Sequence, residues 1–225
     1  MSVRLTLRRA PAAPTDAASI RPDAFLELDE VAIAGLPMGP DPESPRIGDL
    51  FDVLGGRSDD VRVNGDLTRL RGLGADMTGG TLRLEGDAAD GVGAGMRGGL
   101  ILVHGSVGDE AGARMRRGSI AVTGRAGQRA GLQMIAGTLL VLGDLGRAPG
   151  FGLKRGTLVA GGSLELLPTF RLACTYRPGI LPLLFRSLRR HGFEAGSRLE
   201  GGAFRRWIGD CADLGRGEIL HGAPP

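Results

Sequence analysis

Three glycines at Gly93-x-Gly95-x-x-Gly98 spell the fingerprint of a dinucleotide cradle, in which backbone N–H groups at a helix N-terminus receive a pyrophosphate. That chemistry needs the glycines to follow a strand and open a helix. Here they run straight into Leu100-Ile-Leu-Val103, a strand-like segment bounded by glycine, and no amphipathic helix follows. The nucleotide reading fails on context. Histidine offers little more. His104, His191 and His221 are the three histidines, none at ligand spacing from a second His or a carboxylate, and each reads as a surface residue. Gly65-Asp66, Gly86-Asp87 and Gly143-Asp144 raise the question of calcium. The calcium-binding repeat needs nine residues of the form Gly-Gly-x-Gly-x-Asp, which this sequence lacks, so aspartates bonded to their own turns are the simpler account. Cys174 and Cys211 lie far apart and support neither a zinc site nor a disulfide framework. The sequence holds no Gly-x-Ser-x-Gly, P-loop or His-Glu-x-x-His motif. No residue is therefore assigned to catalysis, to a cofactor or to a metal.

One cluster of charge remains. Arg97, Arg116 and Lys154 share a column of the periodicity described below, Arg117 and Arg155 share the next, and Arg114 is close by. Stacked, they form a basic patch suited to an acidic partner surface or a polyanionic cofactor tail, or else a solvated charged ridge. The net charge of +3 does not call for nucleic acid, and all but Lys154 of the 28 basic residues are arginine. Residues Met1 to Arg9 are too polar for a signal peptide and no apolar run approaches a membrane span, so a cytoplasmic location is expected.

The elements that must position these residues follow from a repeat. Shifted by 19 residues, the chain matches itself: Met77, Met96, Met115, Met134 and Leu153 fall in one column, and Gly80, Gly99, Gly118, Gly137 and Gly156 in another. Gly86, Gly105, Gly124, Gly143 and Gly162 make a third column, and Gly74, Gly93, Gly112, Gly131 and Gly150 a fourth. A less regular unit ends at Val61-Arg-Val-Asn-Gly65. The 40 glycines are thus corners rather than a ligand cradle. After each second-column glycine runs an alternating strand, with core columns Leu82, Ile101, Ile120, Leu139, Leu158 and Leu84, Val103, Val122, Val141, Ala160. Between them the outward column reads Arg83, Leu102, Ala121, Leu140, Val159, apolar where a solvated face would be polar. Such a face is covered, either by the chain's own terminal segments or by a partner. Leu102, Leu140 and Val159, with Arg97, Arg116, Arg117, Lys154 and Arg155, are the partner-interface candidates.

These signals predict an all-β solenoid, a right-handed parallel β-helix with coils of about 19 residues. Residues 1–45 read as an N-terminal arm or cap with a short helix near Pro22 to Glu30, and 46–170 as the repeat. In 171–225, Leu181, Leu184, Phe185 and Leu188 recur at helical spacing, with Arg189 and Arg190 in the last turn and Gly192 after it. This is a capping helix followed by a tail anchored by Trp207 and Ile208.

Segments such as Val92-Gly-Ala-Gly-Met-Arg-Gly-Gly-Leu-Ile-Leu-Val-His-Gly105 resemble the Gly-x-Gly-x-Gly domain family, which includes the C-terminal domain of the glutamate synthase large subunit and the C subunit of formylmethanofuran dehydrogenase. Ile47-Gly-Asp-Leu-Phe-Asp-Val53, Leu167-Pro-Thr-Phe170, Arg177-Pro178 and Gly209-Asp-Cys-Ala-Asp-Leu-Gly-Arg-Gly-Glu-Ile219 look like the pattern of the latter. The resemblance implies a non-catalytic scaffold assembled with the A, B and D subunits in a hetero-oligomer, with neither nucleic acid nor membrane as partner. In the bacterial formyltransferase/hydrolase complex that assembly moves a formyl group from tetrahydromethanopterin to a methanofuran-type carrier and releases formate. In the related tungsten or molybdenum enzyme it reduces carbon dioxide onto methanofuran. Carrier, tetrahydromethanopterin and metal ions belong to the partner subunits, and this chain holds no cofactor. Two other classes compete. A hexapeptide acyltransferase needs a period in multiples of six, and an ice-binding protein needs a regular Thr/Ser face, which Leu100 interrupts in the row Thr81, Leu100, Ser119, Thr138, Thr157.

Overall fold

Alternation of apolar and polar residues sets the strands, and the spacing of the glycines sets where they end. The computed structural model describes residues 2–194, 197–213 and 215–222. In chain order the elements are β1 (Val3–Leu7), β2 (Thr15–Asp16), α1 (Pro22–Phe25), α2 (Glu30–Ala34), α3 (Ile47–Leu50), β3 (Phe51–Leu54), β4 (Asp60–Asn64) and β5 (Leu70–Arg71). The periodic segment supplies β6 (Thr81–Glu85), β7 (Leu100–Val103), β8 (Ser119–Val122), β9 (Thr138–Val141) and β10 (Thr157–Ala160). Then come β11 (Arg171–Tyr176), α4 (Leu181–Arg190), α5 (Ser197–Glu200), β12 (Phe204–Gly209) and β13 (Gly217–Gly222).

Eleven strands form one mixed sheet in the order β11-β12-β13-β10-β9-β8-β7-β6-β4-β1-β3, and β2 pairs with β5 apart from it. This corrects the expectation of an all-β solenoid and right-handed parallel β-helix. The middle of the sheet is parallel, but β1·β3 at one end and β11·β12·β13 at the other are antiparallel, and short helices lie beside it. The physical reason is that the 19-residue period sets only the register of the central strands, Leu82↔Ile101↔Ile120↔Leu139↔Leu158. Segments outside the period add hairpin-like pairs and helices. Both flanks join the sheet: Val3 pairs with Val61, and Ile219 with Leu158. A row of single parallel bridges, Leu67↔Ala88↔Val107↔Ala126↔Leu145, ties the connecting segments together.

The main core runs along this register, with Leu82, Ile101, Ile120, Leu139 and Leu158 buried together with the methionine column. Each such side chain contributes roughly 1.5–3 kcal/mol on leaving water. The expected helix forms as α4, with Pro near its start and Arg189 and Arg190 favourably placed against the C-terminal end of its dipole. It does not close an end of the repeat, as a capping helix would. Its buried side chains Leu181, Phe185 and Leu188 lie on the outer face of the sheet, and the last periodic strand is covered by β13. Near Pro22 two short helices form, α1 and α2, where one was expected. The expected tail folds in part as the β12–β13 hairpin, with Trp207 packed against the core. Leu214 of the Gly209–Ile219 segment lies outside the described residues. No described helix is long and apolar enough to cross a membrane.

Candidate functional site

The Gly93-x-Gly95-x-x-Gly98 stretch is a corner. Gly93 and Gly95 hold φ of +66° and +69°, and a Cβ on Gly98 would meet the Thr78 carbonyl oxygen. The same φ regime recurs without glycine, since Asp76, Arg114 and Gln133 stand 19 residues apart through Gly95 with φ of 52°, 55° and 51°. A corner that tolerates Arg and Gln is set by its backbone hydrogen bonds, such as Gly95 N–H to Ala113 and Arg114 N–H to Leu132.

The aspartates do something the sequence reading missed. They bond mainly across the repeat rather than within their own turns. Asp87 accepts from the Ser106 amide at 2.7 Å, Asp90 from Asp109 at 2.9 Å, Asp109 from Gln128 at 2.7 Å and Asp144 from Ser163 at 2.7 Å, each partner 19 residues on. Of the three Gly-Asp candidates, Asp66 alone behaves as expected, bonding the amide and hydroxyl of Thr68. These carboxylates are sheet-side rivets, and among the described residues no group of three His, Cys, Asp or Glu could hold a metal ion. The hydroxyl and amide of Ser163 hold the Asp144 carboxyl below its ordinary pKa. A folded-state pKa below the unfolded value gives stability that is present above the unfolded pKa and lost as pH falls through the folded one. Urea midpoints measured from about pH 5 down to about pH 3 should fall less steeply for Asp144→Asn than for the parent. Equal slopes would remove Asp144 from the acid response.

The histidines are each engaged. His104 stacks obliquely on Phe193 with ring centroids 5.8 Å apart. His191 Nδ1 lies 3.4 Å from Arg83, which is also paired with Asp60, and His221 Nε2 donates to the Gly162 carbonyl at 3.0 Å.

The apolar stripe is where the structure decides most. Leu102, Ala121, Leu140 and Val159 are at most 1 % exposed, buried beneath Leu181, Phe185, Leu188, Phe193, Leu199 and Phe204. The chain's own C-terminal segment covers them. Reading Leu102, Leu140 and Val159 as a partner interface is therefore corrected, because no solvent-facing surface is left there for a partner to bury. The stripe and its cover end together: the next residue in the register is Arg83, beside His191 at the C-terminal end of α4.

The basic candidates remain on the surface, with Arg97, Arg116, Arg117 and Arg155 exposed and Lys154 half-buried. Arg97, Arg116 and Lys154 occupy equivalent positions, their amides bonding Met77, Met96 and Met134. Ile135, bonded likewise to Met115, splits the column. Arg97 lies 3.8 Å from Asp76 and Lys154 3.9 Å from Asp213, weak exposed pairs.

Two features escaped sequence reasoning. Asp210 is 3 % exposed and borders a cavity of about 320 Å³ with Gln133, Phe151, Thr169 and Asp213. Burial raises its pKa, but hydrogen bonding, with the amides of Ala212 and Gly152 on the carboxylate, outweighs this and leaves it lowered. The carboxylate clamps the 209–213 turn to the Gly152 corner. Its only sequence signal was its place in the Gly209–Ile219 segment. The second feature is β11, all six of whose residues are exposed.

Across its full length the chain is similar to a chain in the crystal structure of the formyltransferase/hydrolase complex (FhcABCD) from Methylorubrum extorquens in complex with methylofuran. The identity is 32 %, the match covers 98 % of this chain and 100 % of that one, and the TM-score is 0.62. No protein-family model and no curated protein matches.

Proposed function

This chain belongs to the family of the formyltransferase/hydrolase complex, and from that premise we propose that it is the scaffold of the assembly, its C subunit. The observation that carries the reading is the end-to-end match at 32 % identity to one chain of that complex. In this role the chain holds the transferring and hydrolysing subunits in place. The one-carbon donor tetrahydromethanopterin, the methylofuran-type carrier and the metal ions then sit in the A, B and D subunits. The residues support a structural task. The turn aspartates are bonded to backbone amides, and Asp210, the one buried carboxylate among the described residues, clamps a turn. Neither arrangement leaves a base or nucleophile aimed at a substrate. The matching complex is a formyltransferase/hydrolase, which favours formate release over the redox reaction of the tungsten or molybdenum enzyme.

Reconstitution tests this. Mixing the four subunits should give an assembly that releases formate, and omitting this chain should lower recovery of the intact assembly at least tenfold. The isolated chain should show neither formyl transfer nor formate release. Turnover by the chain alone, surviving removal of contaminants, would overturn the scaffold role, as would full assembly in its absence.

A further inference from the structure

β11 is the outermost strand of the large sheet, with β12 on one side and no described strand on the other. Its six residues are exposed on both faces, whereas β3 at the opposite edge alternates buried and exposed. Open edges are templates for another chain, and sheets ordinarily blunt them. This one has a register shift between Leu172 and Cys174, yet it is apolar as well as open. Leu172 is 53 % and Tyr176 37 % exposed, and Ile180 and Leu183, which follow in the chain, are 62 % and 60 % exposed. Half of the large exposed hydrophobics among the described residues thus fall within 172–183.

Charge chooses the occupant. Arg171 and Arg177 at the two ends of β11, and Arg205 opposite Thr175 on β12, are exposed, and among the described residues none of them makes an ion pair. The nearby carboxylates Glu200 and Glu218 are already taken by Arg189 and Arg206. A second copy of this chain pairing antiparallel on β11 would set Arg171 against the Arg177 end of its twin, like charge against like. We infer that β11 is the docking edge for an extended, carboxylate-bearing segment of another subunit of the complex, which adds to the sheet as a further strand. This rests on the scaffold reading above.

Cys174 lies in β11, is exposed and carries a free thiol. In a chain carrying Cys211→Ser, the rate of thiol modification at Cys174, followed by peptide mass, is compared between the isolated chain and the reconstituted complex. At least tenfold slower modification in the complex is expected, with slowed amide exchange across 171–176. The double variant Arg171→Glu, Arg177→Glu should keep the parental circular dichroism and melt. Its incorporation into the complex should fall at least tenfold. Equal modification rates in the two states overturn the inference while leaving the scaffold reading intact, as does normal incorporation of the double variant. Dimers of the isolated chain with Cys174 shielded would make the occupant a second copy and overturn it too. Failure of the parental chain to assemble at all would instead remove the scaffold reading first.

Discussion

Replacing Leu102 and Leu140 together by Asp is expected to strip α4 from the sheet. Both leucines are at most 1 % exposed and pack beneath Leu181, Phe185 and Leu188. Losing the two buried side chains removes about 3–6 kcal/mol. Leaving two unpaired carboxylates under the helix would cost several kcal/mol more for each. Docking α4 gains about 1.5–3 kcal/mol for each of its buried apolar side chains, so the two sides are comparable. Water reaches the carboxylates most cheaply if the helix lifts away. Limited proteolysis should therefore cut the double variant within 181–193 and spare that segment in the parent, and the melting transition should fall and broaden. Leu26→Asp serves as control, because Leu26 is 45 % exposed and its change should be near neutral. A double variant with parental protease resistance would show that α4 does not cover this face.

The stripe also shows what a sequence can and cannot reveal. Apolar residues on the outward side of a strand said that the surface was covered, and it is. The covering element was readable too, since Leu181, Phe185 and Leu188 stood at helical spacing. What no pattern stated was that the one lay on the other, because the two lie in different parts of the chain and no period links them. β13 was missed for the same reason. Ile219 and Leu220 continue the columns of Leu158 and Val159, but they follow a long non-periodic segment and not a 19-residue step. The 19-residue period set the register of the central strands correctly. It was silent about the antiparallel pairs at both ends, and these turn the arrangement into a mixed sheet. Corner positions were half visible: glycine columns announced themselves, while Arg114 and Gln133 sit at positive φ with no sequence signal. Of the aspartate rivets, Asp87 and Asp144 were seen as residues and misassigned as to partner, and Asp90 and Asp109 were not seen, for a side chain at a turn looks the same whether it bonds two residues or 19 residues ahead.

Gly118→Val is expected to be strongly destabilising. Gly118 holds φ of +94°, a conformation that a β-branched residue adopts only under strain of about 1–3 kcal/mol. A Cβ there would also lie 2.7 Å from the Gly99 carbonyl oxygen and 2.7 Å from the Met96 methyl. The methionine end can swing aside. The carbonyl cannot, because it accepts the Ser119 amide at 3.1 Å and so fixes the register of β8 on β7. Moving it loses that hydrogen bond, about 1 kcal/mol, and shifts Ile120 out of the core column. The total should reach about 3–4 kcal/mol, a large share of the stability of an ordinary domain. Gly137→Val should behave alike, since Gly137 has φ of +102° and the Gly118 carbonyl 3.0 Å from its Cβ position. Gly179→Ala, with open space around it and no positive φ, should stay within about 0.5 kcal/mol of the parent. Urea unfolding with unchanged slope would report the differences directly. If Gly118→Val and Gly137→Val unfold at the parental midpoint, the strands are not paired in the register Leu100↔Ser119↔Thr138.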